Sequence, residues 1–122
     1  MKTNKIINKF IAASIVGVMT AASSSAFAAG TSGVRAVANV DVTTTGRALI
    51  TPGANWNNPD NCGRTDVAIV LENNPSVKTF QAVALTAIAS GLSVQAFFNG
   101  CSDRPFGAGA QSIPIIQNFS IQ

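Results

Sequence analysis

The chain contains no histidine and no tyrosine, and only two cysteines and one tryptophan in 122 residues. Without an imidazole there is no Ser-His-Asp or Cys-His nucleophile system and no histidine metal ligand. Charged residues are also few, at 11% of the chain. Asp60, Asp66 and the neighbouring asparagines lack the regular ligand spacing of a calcium loop. These shortages argue against an enzyme and predict neither a metal ion nor a cofactor.

The few charges are unevenly distributed along the chain. Residues 1–28 contain three lysines, then an apolar run from Phe10 to Met19, and end in Ala26-Phe27-Ala28. A positive start, an apolar centre and an Ala-x-Ala site are typical of a secretory signal peptide. An uncleaved membrane anchor is the alternative, but the apolar run is shorter than the roughly 20 residues of a membrane span. We therefore predict export, to the periplasm or the medium, with no membrane span after cleavage.

Removal of residues 1–28 changes the charge of the protein. The formal charge of +3 comes from the three leader lysines, because residues 29–122 contain five basic and five acidic side chains. A neutral chain attracts phosphate backbones only weakly, and export separates it from nucleic acid. We therefore expect no nucleic-acid partner, and we predict that residues 29–122 form a single domain.

Cys62 and Cys101 are the only cysteines of this chain. Because disulfides form in oxidising compartments, the two are predicted to be bonded to each other, the alternative being two buried free thiols. Such a bond places the two Cα atoms about 5 to 6 Å apart. It would therefore bring the loops that carry the two cysteines together.

The segment after the signal peptide combines β-type stretches with one helical stretch. Strands are predicted near 34–42, 47–51, 67–71, 94–98 and 113–121. Between the third and fourth strands, Asn73-Asn74-Pro75 predicts a helix start, apolar residues recur at helical spacing, and Gly91 predicts a left-handed end. The order β-β-β-α-β-β, mainly β with one helix, is that of a five-stranded OB-fold-like barrel. An open α+β sheet with one covering helix has the same order and is the alternative.

The loop around Trp56 is the best candidate for a ligand site, because it carries the only indole of the chain. The candidate residues are this indole and the polar or charged side chains of the two loops that the disulfide would join: Trp56, Asn57, Asp60, Asn61, Arg64, Asp103 and Arg104. An aromatic face ringed by amide, carboxylate and guanidinium groups suits a sugar, and an arginine can pair with a sugar carboxylate. The alternative is that Trp56 closes the end of the barrel and the asparagines serve turns.

Two further segments carry fewer charges than a solvated surface usually does. The predicted helix contains one charged residue, Lys78, and no residue from Pro105 to Gln122 is charged. An uncharged terminal strand is a poorly protected edge unless it closes the chain's own barrel or pairs with a neighbour. One face of the helix can serve the core while a flank meets another subunit. We therefore expect a homo-oligomer.

The segment from Cys62 through Thr86-Ala87-Ile88-Ala89-Ser90-Gly91 and Val94 to Asn99-Gly100-Cys101 resembles small exported bacterial proteins with a C…TAxxSGxxV…GC signature. These proteins are similar to the B subunits of subtilase cytotoxin and of pertussis-like AB5 toxins. The resemblance implies an OB-fold subunit, a ring pentamer that can carry a toxic A subunit, and binding of sialylated glycans. It also implies that Ser32 helps to hold the sugar, whereas the family's tyrosine has no counterpart in this chain.

Taken together, these features predict a secreted or periplasmic, non-enzymatic binding module that forms a homo-oligomer and binds a glycan. A structural or interaction subunit of the cell envelope, without a sugar ligand, is the alternative. The two hypotheses share export, the disulfide and self-association, and they differ in whether a carbohydrate is bound.

Overall fold

The computed structural model describes residues 29–122, and the signal peptide predicted for residues 1–28 lies outside this range. Within it, five strands and one α-helix follow one another in the predicted order β-β-β-α-β-β. The strands are β1 (Gly30–Val42), β2 (Ala48–Pro52), β3 (Ala68–Val70), β4 (Ser93–Ser102) and β5 (Ile113–Ile121). The helix α1 spans Val77–Ser90, and a 3-10 turn at Gly109–Gln111 precedes β5. In this part of the chain no helix is long and apolar enough to cross a membrane.

The strands pair into a closed sheet in the order β1-β2-β3-β5-β4. Closure depends on the length of β1, whose first half pairs with β4 and whose second half pairs with β2, both antiparallel. β3 and β5 run parallel and share a single paired position, Ile69 with Ile115. β1 and β4 stand at the two ends of this order, and their pairing closes the sheet. In an open sheet these two strands would be unpaired edges.

The interior is filled by apolar side chains that point inward from alternate positions of the strands. Ile50, Phe98 and Ile116 are at most 1% exposed and belong to a cluster to which all five strands and the helix contribute. A smaller cluster contains Leu49, Val67, Ile69 and Ile113. Because Ile69 belongs to it while its neighbours Ala68 and Val70 belong to the main core, β3 is buried on both faces. This explains why its sequence is apolar without alternation.

The helix α1 packs a narrow face on the sheet. Its buried residues are Phe80, Ala84 and Ala87, and the Phe80 ring lies 6.1 Å from the ring of Phe119 in β5. Leu85 and Ile88, two further apolar residues of this helix, are 55% and 40% exposed. The apolar arc of the helix is therefore wider than the face that the sheet covers.

The sequence-based prediction is right at one end of α1 and wrong at the other. Gly91 ends the helix in the left-handed conformation, with a φ of 69°, as predicted. Asn74 does not cap the start of the helix. Its Oδ1 accepts a hydrogen bond from the Ser76 N–H (2.8 Å) in a turn that precedes the first helical residue, Val77. The Asn-Asn-Pro segment is thus a separate turn before the helix.

Two strands are longer than predicted, and both contain bulges. β1 already begins at Gly30, because Gly33 takes a φ of +77° and carries the strand across a shift of its register with β4. β4 continues to Ser102 in the same way, through Gly100 at a φ of +90°. Bulges decide which side chains face outward, so they bear directly on the position of a site.

The uncharged C-terminal segment closes the chain's own sheet. β5 pairs with β4 along most of its length and with β3 at Ile115. Of the two alternatives for this strand, pairing within the chain is the one observed. The strand therefore no longer argues for a neighbouring subunit.

The predicted disulfide between Cys62 and Cys101 is confirmed. The two Cα atoms lie 5.6 Å apart, and the bond joins the β2–β3 loop (residues 53–67) to β4. The loop after β4 is held close as well, because the Arg64 guanidinium lies over the Phe106 ring, 4.1 Å from its centroid. The two polar loops are therefore adjacent, as predicted.

Gly63 lies where the β2–β3 loop crosses the 3-10 turn, and its N–H donates a hydrogen bond to the Ser112 Oγ (3.0 Å). A Cβ at this position would overlap the backbone of Gly109 and Ala110. We expect Gly63→Ala to lower the free energy of unfolding by about 1–3 kcal/mol through overpacking. Urea titration measures the loss, with Gly53→Ala as the control. A Cβ at Gly53 would meet only ordinary contacts, at 3.6 Å and beyond. Equal midpoints for the two variants would contradict the prediction.

Candidate functional site

Trp56 is a core residue, not an exposed stacking platform. Its side chain is 3% exposed and packs edge-on against Phe98 of β4, with ring centroids 5.8 Å apart. The loop folds back on itself here, because the Trp56 N–H donates a hydrogen bond to the Thr65 carbonyl (2.9 Å). The indole face is not available to a sugar, which corrects the predicted stacking role. The alternative, in which the indole belongs to the interior, describes its position.

Ser32 is equally enclosed. It is 0% exposed at the bulge of β1, where its Oγ accepts a hydrogen bond from the Ala96 N–H (2.8 Å) and donates one to the Gly33 carbonyl (2.7 Å). The hydroxyl thus replaces ladder hydrogen bonds that the bulge interrupts. It is not free to bind a ligand, which corrects the role implied by the toxin resemblance.

Asn57 and Asn61 are exposed but support the loop. Asn57 Oδ1 accepts a hydrogen bond from Arg35 Nη2 (2.9 Å), and its N–H donates to the Ser32 carbonyl (2.9 Å). Asn61 takes a positive φ of 57°, a conformation in which asparagine is enriched. Both residues therefore have a structural reason to be where they are.

Asp60 links the β2–β3 loop to β4 beside the disulfide. Its Oδ2 accepts a hydrogen bond from the Gly100 N–H (2.8 Å). Its Oδ1 is buried and has no hydrogen-bond partner within residues 29–122. Together with the Cys62–Cys101 bond, this carboxylate holds the β4 bulge in place.

Arg64 is already engaged by three neighbours, Asp66, Phe106 and Gln111. Its guanidinium forms a two-point ion pair with Asp66, with Nη2–Oδ2 at 2.7 Å and Nε–Oδ1 at 3.0 Å, and lies over the Phe106 ring. The hydrogen bonds from Arg64 lower the pKa of Asp66, and the same pairing raises the pKa of Arg64. The contact with Phe106 joins the two loops, and the pairing with Asp66 leaves the guanidinium not free to bind a sugar carboxylate.

Asp103 and Arg104 are exposed and line a concave surface. With Glu72 and Ser102 they border a depression of about 420 Å³ next to the end of β4. Glu72 is ion-paired with Arg47 (3.0 Å), and this hydrogen bonding lowers the pKa of Glu72. Of the predicted site residues, Asp103 and Arg104 therefore line a concave surface that a ligand could reach.

A larger groove adjoins this depression, between the turn before α1 and β5. Its volume is about 600 Å³, within the roughly 300–1,000 Å³ of small-molecule sites. Five amides and four apolar residues line it: Asn73, Asn74, Asn99, Gln117 and Asn118, with Leu71, Pro75, Ile115 and Ile116. We call it the amide groove. It opens where β3 and β5, paired at one position, diverge.

Bulges bring polar side chains to the amide groove. The pairing of β4 with β5 shifts register twice. At one shift Gln117 has no partner opposite, and Gln117 and Asn118 are both exposed where a regular strand would alternate. At the other, the extra residue lies on β4 beside Asn99. Bulges that re-aim side chains in this way are frequent next to functional sites.

Most of the amides in the groove are unused by the rest of the fold. Asn74 serves the turn before α1. Within residues 29–122, no hydrogen bond involves the side chains of the other four, which are all exposed: Asn73, Asn99, Gln117 and Asn118. Each amide offers two donor hydrogens and one acceptor carbonyl. The groove thus presents donors and acceptors side by side above apolar residues.

The amide groove is lined by neutral side chains. Its nine lining residues include no ionisable side chain and no aromatic ring. Elsewhere in the described range, no three His, Cys, Asp or Glu side chains cluster as metal ligands would. What the groove offers is hydrogen bonding combined with apolar contact, the combination that fixes small polar ligands.

Comparison with known proteins does not assign the chain to a family. No family model matches the sequence, and no curated protein or solved structure matches it at a significant level. The resemblance to toxin B subunits therefore stays a prediction.

The residues of the amide groove were not predicted as a site, although one signal pointed to them. Gln117-Asn118 places two polar residues in succession within a mainly apolar strand, which is the pattern of a bulge. Asn73 and Asn99 carry no comparable signal. They are distant in sequence and meet only when β4, β5 and the turn before α1 come together.

Proposed function

We propose that the protein is a non-enzymatic carbohydrate-binding module with an OB-fold and that its site is the amide groove. The strand order β1-β2-β3-β5-β4, with the helix between the third and fourth strands, supports the OB-fold. The cluster of four unbonded, exposed amides around a groove supports the binding site. This cluster is the observation that carries the proposal.

Export is part of the same proposal. It rests on the signal-peptide pattern of residues 1–28, with cleavage after Ala28. The disulfide between Cys62 and Cys101 agrees with an oxidising destination, either the periplasm or the medium. Such a destination also gives access to surface carbohydrates.

The chemistry of the groove matches that of a sugar ring. Sugar hydroxyls donate and accept hydrogen bonds at once, and side-chain amides provide both functions. Leu71, Pro75 and Ile115 offer apolar surface to the C–H groups of a ring. No aromatic ring lines the groove, so stacking does not contribute. Four hydrogen bonds at about 1 kcal/mol each correspond to a dissociation constant of about 1 mM.

Carbohydrate binding is tested by screening the exported protein on a glycan array and titrating the selected sugars by NMR. We expect Asn99→Ala/Gln117→Ala to weaken binding about 25-fold, or about fivefold per amide. Asn55→Ala removes an exposed amide of the β2–β3 loop, outside the groove, and should bind like the unsubstituted protein. If the groove variant binds as well as Asn55→Ala, or if no sugar binds, the groove is not a carbohydrate site.

We also propose self-association, which the exposed side of α1 supports. Leu85 and Ile88, three positions apart on the helix, are 55% and 40% exposed, and Leu92, just beyond the end of the helix, is 42% exposed. Contiguous exposed apolar surface is typical of interaction sites. A homo-oligomer, pentameric with room for an A subunit if the toxin resemblance holds, fits the glycan-binding module. It equally fits a structural or interaction subunit of the cell envelope without a sugar ligand.

Native mass spectrometry at micromolar concentration tests self-association. We expect the exported protein to be larger than a monomer and Leu85→Glu/Ile88→Glu to be monomeric, because burying an unpaired carboxylate in an interface is costly. Thr86→Glu adds a carboxylate at an exposed position of the same helix and is the control. A monomer for the unsubstituted protein would overturn the proposal.

A further inference from the structure

The charges in and around the amide groove narrow the class of ligand. We propose that the groove selects a neutral oligosaccharide and discriminates against acidic ones. This inference rests on the proposed function, since it concerns the ligand of the same site. It departs from the sialylated glycans implied by the toxin resemblance, because the groove lacks the groups that an acidic sugar needs.

The interior of the groove provides no partner for a carboxylate. None of its nine lining residues is a lysine or an arginine. A carboxylate that enters loses hydration and gains only hydrogen bonds from neutral amide N–H groups, without a countercharge. A neutral sugar hydroxyl loses far less hydration on entry and uses both the donor and the acceptor of each amide. The same contacts therefore favour the uncharged ligand.

The surface that continues the groove is not a cationic site either. The depression beside β4 shares Leu71, Asn73 and Ile115 with the amide groove, so that the two form one elongated surface. Two carboxylates and one guanidinium border this extension, those of Glu72, Asp103 and Arg104. Because Glu72 is paired with Arg47, the charges around the extension balance, and an acidic ligand that reached into it would meet no excess of positive charge.

The elongated shape indicates a chain of sugars. The groove and its extension have volumes of about 600 and 420 Å³, and they meet at Asn73 and Ile115. A single ring would contact only part of the amide cluster. A short oligosaccharide can form hydrogen bonds with Gln117 and Asn99 in the groove, while its further sugar units reach Asp103 in the extension.

The test uses pairs of oligosaccharides of which one member is neutral and the other carries carboxylates. Suitable pairs are glucose and glucuronic acid tetramers, galactose and galacturonic acid tetramers, and one neutral chain with and without a terminal sialic acid. Each is titrated into the exported protein to about 10 mM and followed by protein NMR, since the expected affinity is near 1 mM. We expect at least one neutral member to bind at least tenfold more tightly than its acidic counterpart. Its affinity should change little between about 20 and 300 mM NaCl.

A gain of function localises the discrimination to the groove. Asn118→Lys introduces an ammonium group there and should raise the affinity for the acidic member of a pair by about five- to tenfold. Asn55→Lys gives the protein the same net charge with the ammonium outside the groove, and it should raise that affinity less than twofold. Equal gains for the two variants would overturn the inference, because the discrimination would then follow overall charge.

The outcomes separate this inference from the proposed function. If the acidic members bind as tightly as the neutral ones, the inference of neutral selection is wrong. If Asn99→Ala/Gln117→Ala also abolishes that binding, the groove is still a carbohydrate site. Absence of binding by every pair overturns the proposed function, and the inference with it. Preferential neutral binding that the same double variant abolishes supports both.

Discussion

Replacing both cysteines, as Cys62→Ala/Cys101→Ser, is expected to lower the free energy of unfolding by about 4 kcal/mol. The two residues are 39 positions apart, and the chain-entropy relation for a loop of that length gives this value. Domains commonly have total stabilities of about 5–15 kcal/mol. The variant should therefore unfold at a much lower urea concentration and leave a substantial unfolded fraction at physiological temperature.

Urea titration followed by tryptophan fluorescence measures the effect of the cysteine replacement. Trp56 is the only tryptophan and is buried against Phe98, so its emission reports on the core. The unsubstituted protein in dithiothreitol is the matched control and should show the same shift. A loss below about 1 kcal/mol would contradict the prediction. The hydrogen bond from Gly100 to Asp60 would then suffice to hold the loop on β4.

Trp56→Ala is expected to destabilise the fold by about 3–5 kcal/mol, as truncation of a buried aromatic residue does. The indole is 3% exposed and meets the Phe98 ring edge-on, so its removal leaves a cavity beside the centre of β4. Thermal and urea unfolding followed by circular dichroism measure the loss, since the variant has no tryptophan to report fluorescence.

Trp56→Phe separates the packing role of this residue from a binding role. The phenylalanine keeps most of the apolar volume and removes an indole N–H that is buried without a partner in residues 29–122. We therefore expect a cost below about 1.5 kcal/mol and unchanged sugar binding. Full stability of Trp56→Ala combined with loss of binding in Trp56→Phe would contradict the assignment of this residue to the core.

The order of elements could be predicted because each element has a local pattern. Runs of β-branched residues predicted the strands, and Gly91 marked the end of the helix. The pairing of β1 with β4 could not be derived in this way. It depends on the glycine bulge at Gly33, which extends β1 toward the N-terminus, and a lone glycine in a polar stretch is equally typical of a turn.

The candidate site was predicted at the wrong place because polarity does not show which way a loop folds. Asparagines around Trp56 suggested exposure, yet Asn58 bonds to the backbone of Cys62 and Asn57 to Arg35, while the indole turns inward. Arg64 was predicted to bind a ligand carboxylate, but its guanidinium pairs with Asp66, two residues away, which the sequence does not show. The amide groove, in contrast, is made from three distant segments and a shift of register. No single window of the sequence contains it.

The one paired position between β3 and β5 makes that junction the seam of the sheet, since every other neighbouring pair of strands shares at least three. A seam of this kind opens at a lower free-energy cost than the rest, so its backbone amides are expected to exchange with solvent early. The amide groove has Asn73 on one side of the seam and Gln117 on the other. A sugar that bonded to both residues would bind the closed form and would stabilise it by mass action. Bound carbohydrate would thus connect the two sides of the seam where backbone pairing is missing. Slower hydrogen exchange at Ile115 and Ile116 would be the sign that it is bound.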